Sequence, residues 1–343
     1  MTTTTTTTYR ATRLNKKGGL EALEVVSLPL EPPGPGDVVV KVSVCGAGYT
    51  DVIMRRGTYP YAPPFPFVPG YEAVGVVHAI GAGVTTLKIG QRVAALLVHG
   101  GYGEYVTRGA EHWQPVPDDV DDESACAVVL NYVTAFQMIH RAAKMQPGQT
   151  ALVTGASGGV GLAMLELLRL HGVKTIGAAS SSKHDLVRAM GATPIDGRGA
   201  PLEIATRAIE AQGVDVAFDA LGGKTVGQCA RALKKGGTLV SYGFTTAATA
   251  AGTQNLQLLR GVIALFVGTR LAGKRPIFFG ITSDYRKDLR PFAEDLQKVF
   301  KLLAEKKIAP RIILRLPLLQ AREAQARLEQ GGVDGKILLV AGL

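Results

Sequence analysis

The chain has 343 residues, a formal net charge of +10, and 46% hydrophobic against 19% charged residues, a globular composition long enough for two domains of ordinary size. No apolar run approaches the roughly 18 to 20 residues that span a bilayer, and Cys45, Cys126 and Cys229 are widely separated with no C-x-x-C spacing, against a disulfide framework or a cysteine-rich zinc site. The basic residues are dispersed and not interleaved with aromatics, so the charge reads as a solvated surface and not as a nucleic-acid face.

The run Thr2 to Thr8 reads as a frayed, low-complexity tail. It has no basic n-region, apolar h-region or repeated arginines, so the expected location is cytoplasmic. Up to about residue 130 the segments are β-prone, as in Val38-Val39-Val40-Lys41-Val42-Ser43-Val44 and Ala73-Val74-Gly75-Val76-Val77. Proline and glycine loops at 32–36 and 63–66 punctuate them, which predicts a compact, mainly β domain. Asp121 to Ala143 reads as helical and leads into Pro147-Gly148. The domain boundary is placed near 130.

Next comes the most informative stretch, Thr150-Ala-Leu-Val-Thr-Gly-Ala-Ser-Gly-Gly-Val-Gly161. It reads as a short strand, a glycine turn and the start of a helix running from Val160 to His171. Gly155 suits the tight bend, Gly158 and Gly159 leave room for backbone beside a pyrophosphate, and Gly161 lets the helix pack on its strand. The free amides of a helix N-terminus favour phosphate there. Gly155, Ala156, Ser157, Gly158, Gly159 and Val160 are therefore the expected dinucleotide turn. The pattern is weak alone in a chain with 42 glycines, but a second β-prone run from Gly172 to Ala179 completes a βαβ unit.

At the end of that run an NAD site places Asp or Glu for the ribose 2′-hydroxyl. This chain has Ser180-Ser181-Ser182-Lys183-His184. Ser180, Ser181 and Lys183 offer hydroxyls and a cation to a 2′-phosphate and no carboxylate to repel it, which selects NADPH; the bland alternative is a polar turn with a solvated lysine. Val214 to Asp219 reads as a buried strand, Lys224 to Lys234 as a helix stopped by Gly236-Gly237, and Thr238 to Tyr242 as another strand. This alternation implies an α/β fold with a doubly wound parallel sheet. Leu221, Gly222-Gly223, Gly243 and Phe244 follow strand carboxyl ends, where such sheets bind ligands. The apolar segment from Thr245 to Phe279, with Leu256, Leu258, Leu259, Val262, Ile263, Leu265 and Phe266, suits either a lid over a hydrophobic acceptor or interdomain or dimer core. Arg260, Arg270, Lys274 and Arg275 form a basic group that suits the phosphates of a coenzyme A or phosphopantetheine tail.

Taken together, the whole chain resembles the medium-chain dehydrogenase/reductase superfamily. Besides the glycine turn, the resemblance rests on Gly70-Tyr71-Glu72-Ala73-Val74-Gly75-Val76-Val77, Gly90-Gln91-Arg92-Val93, Gly101-Tyr102-Gly103-Glu104-Tyr105 and Tyr132-Val133-Thr134-Ala135-Phe136. It implies a GroES-like β domain (1–130), a Rossmann NADPH-binding domain (131–283) and a return to the first domain (284–343), closing on Gly335 to Val340. At the positions of the family's catalytic zinc ligands stand Gly48, Tyr71 and Leu130, none of which binds zinc. The segment Gly48 to Pro60 is similar to the zinc-independent quinone oxidoreductase and enoyl reductase branches, which implies metal-free hydride transfer from NADPH to a quinone or to the activated C=C of an enone or enoyl thioester.

The resemblance also implies roles for single residues. Tyr59 is the candidate proton donor or enolate stabiliser, or else an ordinary loop aromatic. Thr134 stands beside the nicotinamide, or bonds its own helix backbone. Gly48, Tyr49 and Tyr71 line the acceptor pocket; Asp51 and Glu72 are read as structural. Arg198, where the family often has a nearby tyrosine, is a substitute phosphate contact. Gly48 replaces an Asn common in the branch, and some relatives are lens or vesicle-associated proteins, so an NADPH-binding protein with little or no catalysis is the alternative. The expected partners are a small hydrophobic acceptor and, through the segment Arg275 to Ile281, a second copy in a homodimer.

Overall fold

The computed structural model describes residues 7–243 and 264–343. Phe244, Arg260, Leu256, Leu258, Leu259, Val262 and Ile263, like the start of the threonine tail, lie outside the described residues. The chain divides into two compact units, Met1–Val133 with Asp284–Leu343, and Thr134–Ser283.

In chain order, β1 (Thr8–Leu14) and β2 (Leu23–Pro29) are followed by β3 (Asp37–Ala47), helix α1 (Tyr49–Arg55), β4 (Glu72–Ile80), β5 (Arg92–Leu96), β6 (Tyr105–Gly109) and β7 (Gln114–Pro115). Helices α2 (Asp122–Val129) and α3 (Asn131–Gln137) precede β8 (Thr150–Thr154), α4 (Gly159–Leu170), β9 (Lys174–Ala179), α5 (His184–Ala189) and β10 (Thr193–Asp196). Then come α6 (Leu202–Ile209), β11 (Val214–Asp219), α7 (Lys224–Ala232), β12 (Leu233–Ser241) and β13 (Arg275–Phe278), and finally β14 (Ile312–Pro317) and β15 (Lys336–Val340).

The first unit is built on a seven-stranded sheet in the order β14-β15-β3-β4-β5-β7, with β6 also paired to β3; β1 and β2 form a separate antiparallel pair. Val38, Val40 and Val42 of β3 alternate into the same core that takes Trp113, Ile337 and Leu339, as the period of two requires. β15 lies antiparallel on β3, so the end of the chain completes the core that β3 begins. Asp121 caps α2 by accepting from Ser124 N at 2.8 Å, the preferred chemistry for a helix start.

The second unit carries a six-stranded sheet ordered β10-β9-β8-β11-β12-β13, every pair parallel. Numbered within the unit this is 3-2-1-4-5-6, the doubly wound dinucleotide-binding order. The architecture is thus the expected α/β combination of a β domain and a doubly wound parallel-sheet domain. Among the described residues β13 pairs only with β12 and forms an edge.

Two local differences from the sequence expectation have physical causes. Helix α1 interrupts the β-prone region: its buried residues include Val52 and Met54, too few for a visible helical period in seven residues. The expected helix through Lys234 ends at Ala232, because buried Leu233 pairs with Val214 and starts β12 early, while Lys234 forms an ion pair with Asp215. Among the described residues no helix is long and apolar enough to cross a membrane.

Candidate functional site

In the second unit, β8 runs into Gly155, whose φ of +61° lies in the left-handed region that favours glycine. Gly158 is the N-cap of α4, and no side chain caps that end, so the first-turn amides keep their capacity for an anion. A Cβ at Gly161 would overlap the Gly155 carbonyl oxygen; the absence of a side chain lets the helix press onto the turn. At Gly158 a Cβ would meet only Gly155 O, at 3.4 Å. Ala156 is fully buried and its N–H donates to Ala178 O at 3.1 Å, making it the floor of the turn. Ser157, Gly159 and Val160 are half-buried at its rim. These features fit a dinucleotide pyrophosphate.

Ser180 follows β9 and Ser181–Lys183 makes one tight turn before α5. Lys183 N donates to Ser180 O at 2.8 Å, and Ser180 Oγ lies 3.4 Å from Ser182 Oγ. On the neighbouring strand Asp196 is in register with Ala179, and Gly197 N donates to Ala179 O at 2.8 Å. The structure therefore gathers Ser180, Ser181, Lys183 and the exposed Arg198 at adjacent strand ends. Sequence reasoning missed Asp196 here; its Oδ1 accepts from Arg198 N at 2.9 Å.

A second missed residue is Asp219, fully buried at the end of β11. It accepts from Thr154 Oγ1 at 3.0 Å, Thr225 Oγ1 at 2.8 Å, Leu221 N at 3.2 Å and Gly222 N at 3.1 Å. Burial pushes this carboxyl up and those donors oppose the shift. Asp219 thereby fixes the turn carrying Leu221; the signal was a carboxylate ending an apolar strand. Gly243 belongs beside this turn, since a Cβ there would overlap Ala220 O. Among the described residues Thr134 Oγ1 is buried with no hydrogen-bond partner, so it does not bond its own helix. Of the basic group near 270, Arg270 stacks over Phe266 at 5.6 Å and Lys274 Nζ donates to Leu233 O.

In the first unit Tyr59 and Tyr71, twelve positions apart, meet phenol to phenol at 2.6 Å. Tyr71 is buried at the start of the β4 region and Tyr59 half-buried in the loop after α1. Their partner loops are tied by Asp51: Oδ2 accepts from Gly48 N at 3.0 Å and Oδ1 from Gly70 N at 3.1 Å. Gly70 sits at φ +104° with a Cβ position only 2.5 Å from Tyr102 N, which excludes other residues. Burial pushes Asp51 up to about 7; the Gly48 amide opposes this and Glu72 reinforces it. Glu72 in turn forms a buried ion pair with Lys336. Gly48 has room for a side chain, its nearest neighbour being Asp51 Oδ2 at 3.8 Å. Tyr49, by contrast, opens α1 and acts on Arg56, which donates to Glu329 Oε1 at 2.7 Å. At the family's metal positions a glycine hydrogen, a paired phenol and buried Leu130 supply no thiolate or imidazole. Among the described residues no group of three or more His, Cys, Asp or Glu is placed to hold a metal ion.

Comparison with known proteins gives the family. The sequence model for the alcohol dehydrogenase GroES-like domain matches residues 34–118, and that for zinc-binding dehydrogenases matches residues 190–339. The chain is similar to the synaptic vesicle membrane protein VAT-1 homolog of Rattus norvegicus, at 32% identity over 332 residues, 95% of this chain and 82% of that protein. It is also 32% identical to the quinone oxidoreductase of Rattus norvegicus over 246 residues, 68% of this chain and 73% of the relative. Among solved structures, a mycobacterial protein complexed with NADPH superposes with a TM-score of 0.84 at 26% identity, covering 97% of this chain and 99% of the other.

Proposed function

Since the chain belongs to the zinc-independent, quinone oxidoreductase-like branch of the medium-chain dehydrogenase/reductase superfamily, we propose that it is an NADPH-dependent reductase of quinones or of the activated C=C bond of α,β-unsaturated carbonyls and enoyl thioesters, working without a metal. NADPH, when bound, supplies a hydride. The residues that would hold it are the turn Gly155 to Val160 at the helix amides, Ser180, Ser181, Lys183 and Arg198 at the 2′-phosphate, and Thr134, Leu221 and Gly243 toward the nicotinamide.

The observation that carries the acceptor chemistry is the Tyr59–Tyr71 phenol pair. Hydride addition to the β-carbon of an enone builds negative charge on its carbonyl oxygen, which needs a donor in a dry site. A phenol of ordinary pKa about 10 stays protonated at neutral pH and can donate. With Tyr71 donating to Tyr59 across this contact, the Tyr59 hydroxyl is polarised and its own proton is left for the acceptor. Asp51 keeps the two loops in place. The same reading takes the chain as a homodimer, through the segment Arg275 to Ile281.

The test follows NADPH absorbance with quinones, enones and enoyl thioesters, and repeats the productive case with Tyr59→Phe. Turnover with at least one acceptor is expected, and loss of the positioned donor lowers enone turnover on the order of 10²-fold. An unchanged rate with hydride transfer limiting removes Tyr59 from the mechanism. The similarity to a vesicle membrane protein and the missing side chain at Gly48 favour a second reading, NADPH binding with little catalysis; tight NADPH binding without turnover on any acceptor would establish it.

A further inference from the structure

Beside the tyrosine pair lies a cationic cluster that the reductase reading leaves unused. Leu97 N and Val98 N both donate to Tyr71 O, at 2.8 and 3.0 Å. Val98 has φ +68°, a costly conformation for a β-branched residue that marks a constrained and often functional turn. The next residue, His99, takes the guanidinium of Arg108: Arg108 NH2 lies 3.0 Å from His99 Nδ1 and donates to His99 O at 2.9 Å. On the other side, Arg286 lies over the ring of Tyr61 at 5.1 Å and donates to Tyr61 O at 3.0 Å. Tyr61 stacks edge-on against Tyr59 with centroids 5.7 Å apart. The two arginines, 178 positions apart in sequence, thus flank the loops that carry the two phenols.

Neither guanidinium meets a carboxylate among the described residues. Among the described residues Arg108 otherwise meets only His99 Nε2 at 3.2 Å and Thr107 O at 3.3 Å, and Arg286 makes no other hydrogen bond. Asp37 acts on Arg108 only through space, and Glu111 Oε1 lies 3.6 Å from His112 Nε2. Burial pushes the Arg108 guanidinium down, and it pushes His99 down to about 4, with Arg108 and Arg286 adding to the effect. His99 is therefore a neutral acceptor that orients Arg108 at physiological pH. His112 likewise is pushed down by burial, and its Nδ1 lies 2.8 Å from Tyr285 Oη. Arg286 is exposed, but Arg108 is half-buried, and a half-buried guanidinium without a counter-ion is unfavourable in the free protein; planar guanidinium forks match carboxylate and phosphate.

We propose that Arg108 and Arg286 form an oxyanion subsite at the edge of the Tyr59–Tyr71 pair, so that the acceptor carries a carboxylate or a phosphate on the end away from its reacting bond. This rests on the phenol pair being the acceptor site. It narrows the acceptor from any apolar enone or quinone to an acidic one, with the aromatic loop taking the flat part and the arginines the charge.

The experiment compares 4-oxopent-2-enoate with its methyl ester, and a phosphate monoester of a hydroxyalkyl enone with its free alcohol, for the wild type, Arg286→Gln and Arg286→Lys. In the wild type the KM of the charged member of at least one pair is about ten-fold below that of its neutral partner, the size of one charge-assisted contact at a half-exposed site. Arg286→Gln brings that ratio toward one, Arg286→Lys restores part of it, and the pair with the larger ratio tells carboxylate from phosphate. Equal KM values within both pairs, or a ratio that Arg286→Gln leaves in place, overturns the subsite while turnover of the neutral enone leaves the reductase reading standing. If no enone is turned over, calorimetric titration with 4-oxopentanoate, its methyl ester and inorganic phosphate decides the subsite alone: tighter binding of an anion, weakened by Arg286→Gln, supports it, and no such difference overturns it.

Discussion

A single carboxyl ties the loops of Tyr59 and Tyr71 together. Asp51 is fully buried, touches no cation among the described residues and accepts two backbone N–H groups from the loops that lead to α1 and to Tyr71. Burial is the main reason its pKa rises to about 7, against about 4 in an unfolded chain. Between those values the folded protein binds a proton that the unfolded chain has lost. The stability this carboxyl contributes is therefore fully present below about pH 4, falls as pH rises through about 7, and is level above. Asn cannot titrate, so the advantage of the wild type over Asp51→Asn is expected to shrink from pH 5 to pH 7 and to hold constant from there to pH 9. Urea unfolding followed by Trp113 fluorescence measures it, since this sole tryptophan is buried in the same unit. A difference independent of pH would mean that Asp51 stays ionised throughout.

At the scale of elements, the strand, turn and helix from β8 to α4 were legible because each signal was local: an apolar strand, a glycine cluster, then a helical apolar period. Gly161 separates packing from binding there. Gly161→Ala forces the new methyl into Gly155 O and is expected to cost about 1–3 kcal/mol of stability as an overpacking, with a weaker grip on NADPH as the helix end shifts. Gly158→Ala meets nothing closer than 3.4 Å, so its stability stays within about 1 kcal/mol as a cap change, while its methyl intrudes where backbone approaches the pyrophosphate and lowers NADPH affinity. Thermal unfolding and NADPH fluorescence titration on both variants separate the two effects; equal stability losses would show that the turn is plastic. What sequence could not show was non-local. Helix α1 had no visible period, and β12 starts at Leu233 because of its pairing with Val214 across the sheet. Tyr59 and Tyr71 are each candidate residues by sequence, but their pairing was not legible, and Arg108 and Arg286 carried no signal until the fold brought both to the same loops. Asp219 and Asp196 looked like ordinary strand-end carboxylates.

For the whole molecule, the decisive fact is that the first unit is discontinuous: residues 134–283 form the other unit, and Asp284–Leu343 returns to finish the first. β15 supplies Ile337 and Leu339 to the β core, and its first residue, Lys336, forms a buried ion pair with Glu72 at the first position of β4, 264 positions earlier. The pair lies over the hydrogen of Gly46, where a Cβ would overlap Glu72 Oε1; among the described residues Glu72 Oε2 has no hydrogen-bond partner. Such a bridge is weak evidence for net stability, because taking both charges out of water offsets much of their attraction. Removing one partner is a different matter. Lys336→Met leaves a carboxylate buried beside Asp51 and is expected to cost about 3–5 kcal/mol, and Glu72→Met alone strands the ammonium at a similar cost. With both replaced, two apolar side chains of similar length fill the site, and the double variant should lie closer to the wild type than either single one. Urea unfolding read through Trp113 tests this as a double-mutant cycle confined to the first unit. Additive losses would show that the two charges do not depend on each other, and the closing strand would then be held by its core residues and β ladder alone.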